Sequence, residues 1–249
     1  MYLCYAMEER LDKLLVQLNL VETRAKAEKL ILEVGVHVNG KLVNKPGKKF
    51  EESCKIKFVT NSDQWLSINA NKLISAIKKW KLEVSGGVFC DVFCELGSSS
   101  EVLFSNKAKK VYLNDLTKDS FDSSLSTNNI VNLTDLDLRE LTSNQITEKL
   151  DGCIVNSSDQ PLSKTLPFIN PFLKSGAFVI AIIKPKIEVD KSYLKNNGEV
   201  RNSLAYPSMF DQLKKTAEVN NLSLLDYIKS PILGDEGREE YILFLKKML

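Results

Sequence analysis

The run AFVIAII, Ala177–Ile183, constrains the fold more than any other stretch of the chain. Its seven residues fall far short of the roughly 20 that a membrane-crossing helix requires, and they fit a buried strand. Other strand-like runs precede and follow it: GVFCDVF from Gly87, KKVYLND from Lys109, GCIVNSS from Gly152, LSLLDYIKS from Leu222 and EYILFLKK from Glu240. Segments of helical or mixed character, among them LTSNQITEKL and YPSMFDQLKKTAEVN, separate them. Such alternation predicts an α/β domain with a mostly parallel, doubly wound sheet and helices on both faces. The short PILGDEGRE between the last two runs predicts an antiparallel final hairpin. No membrane span is expected.

The first sixty residues carry a different pattern. Leu11, Leu14, Leu15 and Leu18 recur at helical spacing, and Ala27, Leu30 and Ile31 repeat it behind Thr23, a residue suited to cap a helix N-terminus. VHVNGKLV then alternates around an Asn-Gly pair, the strongest short-range signal for a hairpin. Two short helices and a hairpin make a small α+β module over residues 1–60. TNSDQW reads as the start of a linker over 61–70, and NKLISAIKKWKLEV as an amphipathic helix opening a second domain over 71–249. Met7 is a second candidate start, because the module's pattern begins at Arg10.

Net charge over the whole chain is only +2, too little to advertise a polyanion partner. Its distribution says more: residues 1–60 hold eleven Lys and Arg against eight Asp and Glu, which leaves the remainder at −1. Arg10, Arg24, Lys26, Lys29, Lys41, Lys45, Lys48 and Lys49 could form one basic surface able to follow an RNA backbone. The plain alternative is a solvated charged face, because Glu22, Glu28 and Glu33 share the same helices. The five cysteines are an odd number with no paired spacing, which argues for a reducing, cytoplasmic setting. Cys90 and Cys94 lack the further ligands a metal site needs, even with His37 added, so buried thiols and no metal are expected.

DVFCELG, Asp91–Gly97, lies between two strand-like runs, where a doubly wound sheet receives its ligand and the backbone must approach it closely. Asp91 and Gly97 suit that role, but Phe93 stands where the first glycine of such a loop belongs.

From Arg10 to about Phe50, the RLD start, the TR-KA--LI second helix, the VNG hairpin and the KP turn together resemble the alpha-L RNA-binding module first described in a ribosomal small-subunit protein. One departure is local: the glycine that usually ends the second helix is displaced, with Val34 in its place and Gly35 following. The stretch from LSINANKLISAIKKW through DVFCELGSSSEVLF to KKVYLNDL, with IIKPKIE, NGEVRN and SPILGDEGREEYILFLKK downstream, resembles the hemolysin A (TlyA) family, relatives of the FtsJ-type RNA 2′-O-methyltransferases. The two resemblances cover nearly the whole chain. They imply a Rossmann-like methyltransferase domain behind a small RNA-binding domain, with S-adenosylmethionine as cofactor. The implied partner is RNA, in the form of ribosomal RNA or a ribosomal subunit; neither DNA nor a membrane is expected.

Carried onto this sequence, the family's cofactor positions are Asp91, Gly97 and Asp115, and its catalytic set is Lys72, Asn156, Lys184 and Glu240. The family has aspartate where Asn156 stands, and glycines where Asn69 and Ala70 precede Lys72. Methyl transfer to a hydroxyl needs in-line positioning and a base, and a lysine serves as base only when its pKa is brought down to about 7 or 8. Losing the aspartate removes the anion that would hold two lysines, which predicts a lysine pair short of a partner and of fixed geometry. The ring of Phe93 must either enter the core or fill cofactor space. Two readings therefore stand: an active S-adenosylmethionine-dependent methyltransferase acting on ribosomal RNA, and a catalytically impaired RNA-binding protein on the same fold. A membrane-lysing role has no support in apolar runs this short.

Overall fold

The computed structural model describes residues 8–18, 20–21, 23–33, 35–39, 41–51, 54, 56–58, 68–94, 98–115, 129–133, 136–157, 160–195, 199–232, 234 and 238–248. The chain divides into two compact units, Met1–Leu66 and Ser67–Leu249.

The first unit contains β1 (Glu8–Arg10), α1 (Leu11–Gln17), α2 (Arg24–Glu33), β2 (Val36–Val38), β3 (Lys41–Val43), β4 (Lys49–Glu51) and β5 (Ile56–Phe58). Leu11 and Leu15 of α1 and Ala27 and Ile31 of α2 are buried against Val36, Val38 and Val43, so both helices close over the hairpin. That hairpin pairs Val36 with Val43 and Val38 with Lys41, and Asn39 takes the left-handed φ of 51° that the turn demands. Thr23 caps α2 through its hydroxyl, which accepts the Lys26 N–H at 3.3 Å. The displaced glycine also has its explanation: Gly35 holds φ at +81° and donates its N–H to the Leu30 carbonyl at 3.1 Å, closing the last turn one position later. The alternation rule does not reach β1 and β4, because each is only three residues long. They pair antiparallel, setting Arg10 opposite Lys49.

The second unit runs α3 (Ile68–Trp80), β6 (Val88–Val92), α4 (Ser98–Ser105), β7 (Lys110–Asn114), β8 (Ile130–Asn132), β9 (Leu150–Asn156), α5 (Leu166–Ile169), β10 (Leu173–Ile183), α6 (Pro185–Glu188), α7 (Ala205–Val219), β11 (Leu222–Lys229) and β12 (Tyr241–Lys247). One seven-stranded sheet has the order β11-β12-β10-β9-β6-β7-β8. Neighbours from β8 to β10 are parallel, whereas β12 is antiparallel to both β10 and β11. The AFVIAII run lies in β10, buried from Ala177 to Ile183. LTSNQITEKL forms no helix. Thr142 turns the chain there, its N–H donating to the Gln145 side chain at 2.9 Å, a local bond that competes with helix formation.

α3 is fastened to the sheet by Trp80. Its ring stacks on Phe244 at 5.1 Å between centroids, and its indole N–H donates to Asp226 Oδ2 at 2.9 Å. Among the described residues no helix is long and apolar enough to cross a membrane.

A Cβ at Gly35 would meet Leu42 Cδ1 at 2.7 Å in a backbone conformation that costs L-residues roughly 1–2 kcal/mol. Gly35→Ala is therefore expected to destabilise the first unit by about 1–3 kcal/mol, measured by amide exchange at positions 8–58 under increasing urea, with the exchange of β6, β9 and β10 unchanged.

Candidate active site

Side chains on a strand alternate between the two sheet faces, and register carries that alternation from strand to strand. Asp91 pairs with Ile154, Ile154 with Ile180, and Ile180 with Phe244, on which Trp80 of α3 stacks. This is the α3 face. Asn156 follows Ile154 by two, Lys184 follows Ile180 by four and Glu240 precedes Phe244 by four, so all three keep that face as their strands end. Ile183 pairs with Tyr241, which places Lys184 and Glu240 beside one another just past the last rung. Asn156 pairs with Ile182 on the strand next to them. Three neighbouring strands thus deliver three of the predicted catalytic residues to one end of the sheet.

The fourth, Lys72, arrives from α3. Ala70, Leu73 and Ala76 bury the helix against the sheet, and Lys72 is itself only 2% exposed. Its Nζ donates to Glu240 Oε2 in a buried ion pair. The expected lack of a carboxylate partner is thereby corrected for Lys72, because Glu240 occupies that role from the next antiparallel strand. Asn156 is buried at 5% exposure. Lys184 is partly buried, with extended backbone leading into α6.

At the first strand tip, Asp91 is fully buried and accepts the Ser100 hydroxyl on Oδ2 at 2.8 Å. Burial pushes its carboxyl up to about 7, against the Ser100 hydrogen bond and with the nearby negative charge of Asp115 adding to the rise. Its Oδ1 and the hydroxyl of Ser98, the first residue of α4, are buried without a hydrogen-bond partner among the described residues. Asp115, 8% exposed at the tip of β7, accepts from the Cys94 thiol at 3.9 Å. Two acids and an orphaned acceptor at neighbouring strand ends suit a ligand bearing positive charge and N–H donors. Gly97 lies outside the described residues.

Phe93 resolves the choice left by its sequence. It retains a glycine-like φ of 58°, and its N–H donates to the Asn114 carbonyl at 2.7 Å. The left-handed residue breaks the alternation, so Val92 and Phe93 both join the core cluster on the α7 side of the sheet, opposite Asp91. The ring therefore packs in the core.

In the first unit Asp12 gathers two of the predicted RNA-binding cations. Its fully buried carboxylate accepts Arg10 Nε at 3.0 Å and Nη2 at 2.8 Å, Arg24 Nε at 2.9 Å, and the Lys13 N–H at 3.0 Å. The Arg10 guanidinium above all holds the Asp12 carboxyl well below the usual carboxylate range. The turn carrying Lys45, Lys48 and Lys49 joins this group, because the Leu11 and Asp12 N–H groups donate to the Lys48 and Pro46 carbonyls at 2.8 and 3.1 Å. Lys26 is in the first turn of α2 beside Arg24, Lys29 is half-buried further along, and Lys41 stands on the separate hairpin. Reading the sequence overlooked Asp12 and Ser100 as supporting groups; the RLD triplet and the SSS run were their only signals.

A first strand tipped by an acid, a parallel sheet that reverses order between β6 and β9, and antiparallel β12 beside β10 define the class: an S-adenosylmethionine-dependent methyltransferase fold. Residues 65–247 match the model of the FtsJ-like methyltransferases, and residues 9–53 match the S4 domain. The chain belongs to the FtsJ-like methyltransferase family. It is 26% identical over 243 residues to the 16S/23S rRNA (cytidine-2′-O)-methyltransferase TlyA of Mycobacterium tuberculosis, covering 97% of this chain and 91% of that one. Hemolysin A of Brachyspira hyodysenteriae is 24% identical over 235 residues, 94% of this chain and 98% of that protein. A candidate hemolysin from Streptococcus thermophilus has the same fold, with a TM-score of 0.76 at 24% identity over 98% of this chain and 90% of its own.

Phe93→Gly should lower stability by about 2–4 kcal/mol in urea denaturation, since loss of a buried ring outweighs relief of the left-handed backbone. The raised Asp91 carboxyl contributes stability that is fully present below about pH 4 and is lost as pH rises through about 7. Relative to Asp91→Asn, and normalised at pH 4 where both side chains are neutral, the wild type should fall behind by up to about 4 kcal/mol at pH 8. Equal pH profiles in thermal melts would show that Asp91 is ionised at no cost.

Proposed function

We propose that this chain is an active S-adenosylmethionine-dependent RNA 2′-O-methyltransferase, with ribosomal RNA as substrate. The observation that carries the reading is the buried Lys72–Glu240 pair, set at the same sheet end as Asn156 and Lys184. The core placement of Phe93 removes one of the two reasons to expect an impaired site. The named activity of the Mycobacterium tuberculosis relative supports the choice of a ribose 2′-hydroxyl in ribosomal RNA.

Asp91, Gly97 and Asp115 would hold the cofactor, whose cationic sulfonium supplies the methyl group. Asp91 Oδ1 is the buried acceptor awaiting an N–H donor from it. The protein's own share of the chemistry is to hold the ribose in line and to take its proton. Lys184, beside Glu240 just past the last rung between β10 and β12, is the group assigned to receive the hydroxyl proton, and the Lys72–Glu240 pair would help hold the ribose in line. Asn156 contributes a neutral amide, which can orient the hydroxyl or a lysine by hydrogen bonds without supplying charge. The S4 domain, through Arg10, Arg24, Lys26, Lys29, Lys41, Lys45, Lys48 and Lys49, would grip RNA by phosphate and shape and leave the choice of nucleotide to the rest of the complex.

Lys184→Ala is expected to abolish methylation of ribosomal subunits, assayed by mapping ribose methylation, while subunit affinity and micromolar S-adenosylmethionine binding in calorimetry persist. Parallel loss of affinity and activity would contradict the division of labour. Absence of cofactor binding at millimolar ligand in the wild type would leave only an RNA-binding protein. Asn156→Asp, which restores the family's charge, should raise activity.

A further inference from the structure

Between β11 and β12, Ser230 and Gly234 bond back toward the residues that lead into β12. The Ser230 N–H donates to the Glu240 carbonyl at 2.8 Å, and the Gly234 N–H to the Arg238 carbonyl at 2.8 Å. This brings the α-carbon of Gly234 directly against the Glu240 side chain. A Cβ built there would overlap Glu240 Oε1 and Cδ and lie 2.9 Å from Cγ, and those three atoms are its nearest neighbours. Gly35 and Gly152, by contrast, are crowded by apolar or amide side chains away from the strand tips.

We propose that Gly234 is a positioning residue for the reaction: its bare α-carbon is the wall that presses the Glu240 carboxylate onto Lys72. The proposal rests on reading Glu240 and Lys72 as part of the catalytic set. The overlapping atoms are the end of a side chain able to rotate, so an added methyl group can be accommodated without moving the backbone. Glu240, however, is 3% exposed and surrounded, and rotating away from the methyl takes its carboxylate off the Lys72 ammonium. The cost of the methyl falls on the ion pair.

Gly234→Ala should therefore lower kcat roughly a hundredfold, as misplacing a catalytic set by about 1 Å does, with KM for RNA and the dissociation constant for S-adenosylmethionine almost unchanged and the melting temperature lowered, because parting two buried charges costs stability. A second readout needs no activity at all: in lysine-labelled protein, the Lys72 Cε and Nζ resonances should move in Gly234→Ala toward their positions in Glu240→Ala. The decisive comparison is the double variant, because Gly234→Ala added to Glu240→Ala has no carboxylate left to displace and should change neither kcat nor the Lys72 resonances further. Should Gly234→Ala fail to fold, the double variant must fold, since the shortened side chain vacates the space.

Full activity with unmoved Lys72 resonances in Gly234→Ala would overturn the proposal, and so would an equal further loss in the Glu240→Ala background. If the wild type proves inactive, the resonance comparison still decides the role of Gly234, so its failure is distinct from failure of the enzymatic reading.

Discussion

The ion pair between Lys72 and Glu240 is the constraint on which the second unit turns. Taking an ammonium and a carboxylate out of water costs several kcal/mol per ion before their attraction returns any of it, and apolar side chains of similar volume would hold α3 to β12 at least as well. Stability alone therefore does not account for it. Trp80 already fastens the other end of α3 through Phe244 and Asp226. With the helix seated at that end by packing, the charges at the other end are available for chemistry, and their burial fixes a geometry that exposed lysines would not keep.

Asn156 changes the charge count of this cluster without dismantling it. An amide preserves the shape of the carboxylate it replaces and can donate as well as accept, yet it brings no negative charge. Glu240 is a carboxylate that holds Lys72 by an ion pair, so whatever sets the orientation of Glu240 bears directly on the position of that ammonium. Two further acids stand at neighbouring strand ends, Asp91 on β6 and Asp115 just past β7. Burial above all, with the negative charge of Asp115 adding to it, raises the Asp91 carboxyl there.

Most of the architecture was legible because the sheet is built from long apolar runs. β6, β7, β11 and β12 lie within runs read from the sequence, β9 and β10 begin two and four residues ahead of theirs, and period-two alternation then places Asp91, Asn156, Lys184 and Glu240 on one face. What escaped were elements whose determinants are short or distant. β8 has three residues, too few to alternate. LTSNQITEKL carries helix-forming residues, but Thr142 and Gln145 close a local turn first. The direction of the Phe93 ring depends on a positive φ that only glycine would have announced. The Lys72–Glu240 contact joins residues 168 positions apart, and nothing in either local sequence signals it. Gly234 lies in PILGDEGRE, and only the fold reveals that its α-carbon faces the Glu240 side chain.

Asp12 raises the same question for the first unit: why bury a carboxylate beneath a surface meant for phosphate? One anion against two guanidinium groups leaves the cluster positive, and what is gained is rigidity. An arginine free in solvent loses much rotamer freedom when it grips a phosphate, whereas Arg10 is already fixed by two bonds and Arg24 by one. The lysines at 45, 48 and 49 are exposed on a turn tied to the same helix start, and they can adjust to the backbone as it passes. Fixed arginines beside adaptable lysines make a surface suited to the spacing of phosphates along a folded nucleic-acid backbone, with little in it that could distinguish one base from another.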